Sequence, residues 1–228
     1  MVYNMFPISA EQLLEISRLL KVWREERRLT SDEQIPGLAN NIAEEVAEFR
    51  EAKLPLKKVC ELCDIVVFCL NALGYDKDKS EHAKVVEGVC ENANVRRLEY
   101  VIHLREGKSP TTEYIQSVNN FVMAIADMTS RNLPGYEKFS EYDWIHQAEN
   151  VLAFTLAHID YLGFNPYIAL LEVCKKINSR TGSWSSEANK WIKDTSEEAK
   201  SKWYEPNYRL ARYEFIKIPD VPTGTKRI

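Results

Sequence analysis

Residues 42–73, IAEEVAEFREAKLPLKKVCELCDIVVFCLNAL, decide how the rest of the chain is read. An acidic helix is followed by an apolar one, and together they carry Glu44, Glu45, Glu48, Glu61 and Asp64. Read as helix, residues 38–49 put Leu38, Ala39, Ile42, Ala43, Val46, Ala47 and Phe49 on a broad apolar face, with the glutamates at its edge. Glu45 to Glu48 is an i, i+3 step, and Glu61 to Asp64 repeats it on the next helix. The short connection at Leu54-Pro55 predicts antiparallel neighbours.

From 59 to 73 the second helix is apolar around its circumference except at Glu61, Asp64 and Asn71, the pattern of a buried helix. Two acids one turn apart in a core repel each other and lose hydration. They must be protonated, paired with bases or holding a cation. Four facing oxygen ligands favour a hard cation, magnesium or manganese, and such sites commonly include a substrate phosphate. The plainer alternative makes Glu44, Glu45 and Glu48 a solvated face and lets Glu61 and Asp64 reach Lys57, Lys58 or an arginine elsewhere.

Glu44-Glu45-x-x-Glu48, twelve intervening residues, then Glu61-x-x-Asp64 resembles the signature of the all-α nucleoside triphosphate pyrophosphohydrolases, which include MazG-like proteins, dimeric dUTPases and phosphoribosyl-ATP pyrophosphohydrolases. The lead-in 37–42, GLANNI, is similar to the opening of that helix in MazG-like members. The resemblance implies an all-α helical bundle, a homodimer, and magnesium-dependent conversion of a (d)NTP, such as dUTP or dCTP, to monophosphate and pyrophosphate. It implies Glu45, Glu48, Glu61 and Asp64 as metal ligands and Glu48 as the group that orients and deprotonates water. Glu44, on the far side of the cluster, would support them. The non-enzymatic alternative is a helical protein that binds nucleotides or partners without turnover.

The 228 residues suffice for one sizeable core or a duplicated unit of half that size. Hydrophobic residues make up 45%, charged residues 28%, and glycines number only eight, the profile of a soluble helical protein. A net charge of −4 without basic runs argues against a general nucleic-acid surface. The N-terminus lacks a basic region followed by an apolar stretch, and no segment reaches membrane-span length, so a cytoplasmic protein without a membrane partner is expected. Five cysteines, mostly in apolar helical runs, suit reduced thiols. Cys60-x-x-Cys63 has no second pair to complete a zinc site. A di-iron bundle needs two Glu-x-x-His pairs, and the nearest match is a single Asp143-x-x-His146.

A first helix is expected from after Ser9, with Gln12 completing a cap, to about Leu29. Its C-terminal turns gather Lys21, Arg24, Arg27 and Arg28, which suit the helix dipole; Lys21 and Trp23 are candidates for substrate contact. Further helices are expected over 82–103, 114–128 and 142–162, with a break at 107–112 and a loop at 132–138. Leu162-Gly163-Phe164-Asn165 resembles Leu73-Gly74-Tyr75-Asp76, and residues 173–180 match 89–96 at four of eight positions. A degenerate internal repeat follows, with Glu61 and Asp64 set against Asn150 and Ala153, hence one active site per chain.

Lys175, Lys176, Asn178 and Arg180 end a helix, where bases suit the dipole. The Lys175-x-x-Asn178-x-Arg180 cluster also resembles the phosphate-contacting segment of the family. We divide the chain at 180: residues 1–180 form the helical domain, and 181–228, with interleaved aromatics and bases, pack onto it. By resemblance to dimeric dUTPases this segment closes over substrate, with Lys190, Lys193 and Tyr204 as lid contacts.

Overall fold

A computed structural model describes residues 7–75, 79–130, 141–187 and 190–213. Eight α-helices lie among them: α1 (Ala10–Glu26), α2 (Leu38–Glu51), α3 (Pro55–Leu73), α4 (Lys79–Arg105), α5 (Pro110–Ser130), α6 (Glu141–Tyr161), α7 (Pro166–Asn178) and the short α8 (Glu197–Ser201). The expected loop at 132–138 lies outside the described residues.

Local chemistry sets the boundaries. Ser9 and Gln12 form the reciprocal capping box that starts α1. The helix stops at Glu26, short of the expected Leu29, because Arg28 turns left-handed (φ 54°) and the Leu29 amide folds back to the Arg24 carbonyl. Pro55 opens α3 at a position that needs no amide donor. Gly74 closes α3 with φ 58°, and Gly163 ends the α6 turn with φ 86°; both are conformations that a side chain disfavours. Asn165 caps α7 through the Ile168 amide.

Two helices form the centre. On α3, Val59, Leu62, Ile65, Val66, Cys69 and Leu70 are wholly buried, with α2, α6, α1 and α7 around them. On α6, Val151, Leu152, Ala153, Leu156 and Ile159 are wholly buried against α5, α4 and α3. Each such aliphatic side chain contributes about 1.5–3 kcal/mol relative to exposure. The antiparallel pairs α2–α3 and α5–α6 pack through α2 against α5 and α3 against α6. On α2 the apolar face is narrower than the sequence suggests: Ala43 and Ala47 are exposed, so only Leu38, Ala39, Ile42, Val46 and Phe49 point inward.

The third departure is a β-hairpin, β1 (Gly182–Ser185) with β2 (Lys190–Lys193), in a segment for which the sequence reading placed no strand. Trp184 and Trp191 face each other across it, and Arg27 of α1 lies over the Trp191 ring at 4.9 Å. Aromatic cross-strand pairing supplies what a four-residue strand lacks alone. Beyond α8 the chain returns to the α6–α7 turn, where the Asn165 amide donates to the Ala211 carbonyl (2.7 Å) and the Tyr213 amide to Gly163 (3.2 Å).

Candidate active site

The acidic edge of the α2–α3 pair centres on Glu61, which is 2% exposed although it carries a carboxylate. Carboxylate oxygens of Glu45, Glu48 and Glu61 lie within 4.8 Å of one another, and Glu61 also joins a second group with Cys60 and Asp64 at the same limit. The i, i+3 step on each helix and the antiparallel packing together produce this convergence. Burial first, then repulsion from Asp64 and Glu61, push the Glu45 carboxyl up to about 8.

Two lysines partly answer that charge. Lys57, one turn before Glu61 on α3, pairs with it and stands 3.7 Å from Glu48. Its hydrogen bond to Glu61 raises its pKa, outweighing the smaller effect of burial. From α7, the Lys176 ammonium donates to Asp64 Oδ2 at 2.7 Å and approaches Cys60 Sγ at 3.5 Å. Burial pulls the Lys176 pKa down, and Asp64 and Cys60 more than offset it. The plainer sequence alternative therefore describes part of the site: Glu61 does meet Lys57. The excess of carboxylates remains on the Glu45 side, where the raised Glu45 pKa registers it. Three hard oxygen donors without enough cationic partners fit a divalent cation.

Beside these pairs a cavity of about 420 Å³ opens between α3, α7 and the C-terminal segment. Lys57, Lys176 and Arg180 supply cations, and Trp203, Tyr204 and Tyr208 supply aromatic walls. None of Glu45, Glu48, Glu61 and Asp64 is among its lining residues; the acids adjoin it through Lys57 and Lys176. Arg180 and Lys193 lie over the Trp203 ring at 5.6 and 4.7 Å. Burial, then Arg180 and Lys176, lower the Lys193 pKa. Cys60 also lines the cavity; burial raises its thiol pKa, only partly countered by Lys176, so it is no thiolate near neutrality.

The remaining candidates occupy varied places. Glu44 is exposed on α2. Lys21 stands 3.9 Å from Glu25 on α1, and Trp23 is stacked by Arg27 at 5.0 Å. Asn178 donates to the Cys174 carbonyl at 2.8 Å, a bond within its own helix. Lys175 donates to Glu172 at 2.6 Å, and the Tyr204 hydroxyl donates to the other oxygen of Glu172 at 2.6 Å. The Asn207 amide adds a third bond at 2.7 Å. Burial pushes Glu172 up, and these donors outweigh it, for a net lowered pKa. The backbone of Lys190 belongs to β2, and its side chain lies outside the described residues.

Sequence reasoning left Lys176 outside the Lys175-x-x-Asn178-x-Arg180 cluster and did not select Trp203, Tyr208 or Glu172. Lys57 was legible as an i, i+4 partner of Glu61. The others come together only through contacts between α7 and the tail. All five cysteines are free thiols. No described helix is long and apolar enough to cross a membrane. No protein-family model matches the chain, and no curated protein or solved structure shows significant similarity to it.

Proposed function

We propose that the protein is a divalent-metal-dependent nucleoside triphosphate pyrophosphohydrolase, releasing a nucleoside monophosphate and pyrophosphate. The observation that carries this reading is the convergence of Glu45, Glu48 and Glu61 beside a cavity bearing Lys176 and Arg180. Carboxylates for a metal and cations for phosphate oxygens are the two charges that a metal-bound triphosphate needs. The bundle is read as the MazG and dimeric-dUTPase type, with α5–α6 as a degenerate copy of α2–α3.

Glu45, Glu48 and Glu61 would hold magnesium or manganese, with Asp64 reached through Glu61. Bound there, the ion supplies charge neutralisation at the phosphoanhydride. Lys176 and Arg180 bind and orient the polyphosphate, which requires Lys176 to share its ammonium with Asp64. Glu48, 59% exposed at its side chain, meets solvent more readily than Glu61 and is assigned to hold and deprotonate the attacking water. Trp203, already faced by two cations, offers a ring for the base. Tyr204 and Lys193 close the cavity from the tail.

A specific observation supports the second reading, a nucleotide-binding protein without turnover: Lys57 and Lys176 already neutralise Glu61 and Asp64. The two part on one experiment. The protein is incubated with a panel of NTPs and dNTPs and magnesium, then manganese, and monophosphate and pyrophosphate are scored by chromatography. Pyrophosphate release dependent on the metal is expected; triphosphates bound but left intact under every condition would replace the enzyme by the binder.

A further inference from the structure

Cations and indole rings continue from the cavity onto the β-hairpin. At the cavity end, Arg180 and Lys193 both face the Trp203 ring, whose buried Nε1 has no acceptor among the described residues. Arg27 carries the path onward: its guanidinium donates to the Arg180 carbonyl at 3.0 Å and lies over the Trp23 and Trp191 rings. Across the hairpin from Trp191 stands Trp184, with Arg28 over its ring at 5.7 Å.

The inner ring of the hairpin is fixed and the outer one is open. A Cβ on Gly182 would run into the Trp191 ring, so that ring is held by the Gly182 backbone and by Arg27. Trp184 is half-buried and Arg28 exposed. At 5.7 Å the guanidinium is near the outer limit of a cation–π contact, so a flat base can displace it. Arg28 reaches this place from a left-handed backbone (φ 54°), a conformation that disfavours residues with a Cβ. Glycine would end α1 there without strain but would leave Trp184 without its cation.

The charges along the path are uncompensated. Among the described residues, none of Arg28, Arg180 and Lys193 pairs with a carboxylate. Nearby acids are already taken: Glu26 by Arg27, Glu197 by Lys200 and Glu198 by Lys202. In a chain of net charge −4, unpaired cations gathered on one side make a local anion-binding surface. A mononucleotide in the cavity would leave Trp184 and Arg28 unused. A polyanion with flat bases spaced along it uses both.

We propose that a single-stranded nucleic acid lies along this path, its 5′-phosphate end beside Arg180 and Lys193, a following base on Trp184, and Arg28 on the adjoining phosphate. Rings for bases and cations for the backbone hold single strands without reading their sequence. A duplex keeps its base faces stacked on one another and cannot use the rings. Placing the 5′ end rests on the proposed reading of Arg180 and Lys193 as substrate contacts; the stacking path does not rest on turnover.

The test is fluorescence anisotropy of the full chain with 3′-labelled strands of about eight nucleotides. RNA and DNA strands, each with a 5′-triphosphate or a 5′-hydroxyl, are compared with a duplex of the same sequence and with polyglutamate of matching charge. The single strands should bind at least about tenfold tighter than duplex or polyglutamate, the scale of one base stack, and the 5′-triphosphate strand tightest. Trp184→Leu should cost about tenfold, and Trp184→Phe less, because a ring remains. Arg28→Gly should weaken binding several-fold and flatten the log–log salt dependence by about 0.7, the share of one phosphate contact. Its melting temperature should hold or rise, since glycine suits the left-handed backbone. Neither residue lines the cavity, so hydrolysis of mononucleotides should be unchanged in these variants.

Duplex or polyglutamate bound as tightly as the strand overturns the proposal, and so does full affinity in Arg28→Gly and Trp184→Leu. A 5′-hydroxyl strand bound as tightly as the 5′-triphosphate overturns the placement of the end. Hydrolysis of mononucleotides without strand binding overturns this inference and leaves the proposed function standing; strand binding without hydrolysis of any triphosphate does the reverse.

Discussion

The α2–α3 and α5–α6 pairs use the same packing for opposite electrostatic ends. In both, a helix with a long run of buried residues runs beside a partner that shields it. Helix α3 carries Glu61 and Asp64, answered by lysines. On α6, Asn150 accepts from Asn92 at 3.2 Å, and Ala153 is fully buried. Around His158 the buried polar groups of α6 are uncharged, while Asp160 near its end pairs with Arg97 at 3.2 Å. His158 stacks on Tyr114 with centroids 4.4 Å apart, and the Tyr114 hydroxyl meets Thr155 Oγ1 at 3.2 Å. Burial holds His158 down to about 3, a neutral imidazole at any physiological pH. A helical pair thus keeps its shape whether its buried polar groups are charged and compensated or neutral and hydrogen-bonded. Only the first arrangement stores charge that a ligand can use.

The largest expected effect breaks the charged side. Glu48→Gln and Asp64→Asn should each lower pyrophosphate release at least about 100-fold, the scale of losing a catalytic group, with helical circular dichroism unchanged. Collapse of the fold in both would instead assign these acids to structure. Relief of carboxylate repulsion makes a raised melting temperature an expected accompaniment in metal-free Glu48→Gln, whereas Asp64→Asn, which leaves the Lys176 ammonium without its partner, should lower it.

Next in size is a pair of pH responses of opposite sign. Between about pH 6.5 and 3 the unfolded chain binds a proton at His158 that the folded chain refuses, so stability falls as pH falls through that window. The loss is on the order of 4–5 kcal/mol by linkage over that window, and His158→Phe should remove it. Glu45 runs the other way. Its folded value near 8 lies above the ordinary 4.5, so its contribution is present at low pH and lost as pH rises from 4.5 through 8. Glu45→Gln should stabilise the metal-free protein by about 1–2 kcal/mol at pH 8, a figure reduced for partial solvation. Urea unfolding of wild type and both variants at pH 4, 6 and 8 checks both slopes; parallel curves would remove the contrast between the two regions.

The smallest effect concerns the third compensated acid. Tyr204→Phe takes one of three donors from Glu172 and should cost about 1 kcal/mol in urea unfolding, since the other two remain. If substrate KM rises while stability holds, Tyr204 acts on the cavity more than on the clamp.

Much of α1 to α3 was legible because local rules govern it. The Ser9 cap, the Pro55 start, the Gly74 stop and the i, i+3 acid pairs all lie within one or two turns of what they control. The end of α1 was misplaced because the left-handed Arg28 has no glycine or proline to announce it. The hairpin at 182–193 was missed because strands this short hold through Trp184, Trp191 and Arg27, whose meeting spans distant parts of the chain.

By itself the sequence determined an all-helical core, its central acidic helix and the set of carboxylates, since periodicity and spacing are properties of a single chain segment. Tertiary structure alone decided which cations face them: Lys176 reaches Asp64 across 112 positions, and Trp203 and Tyr208 come to Lys57 through the returning tail. Helical periodicity fixes which residues share a face. Which face meets which depends on how whole helices pack, and the energy of a charge depends on that meeting.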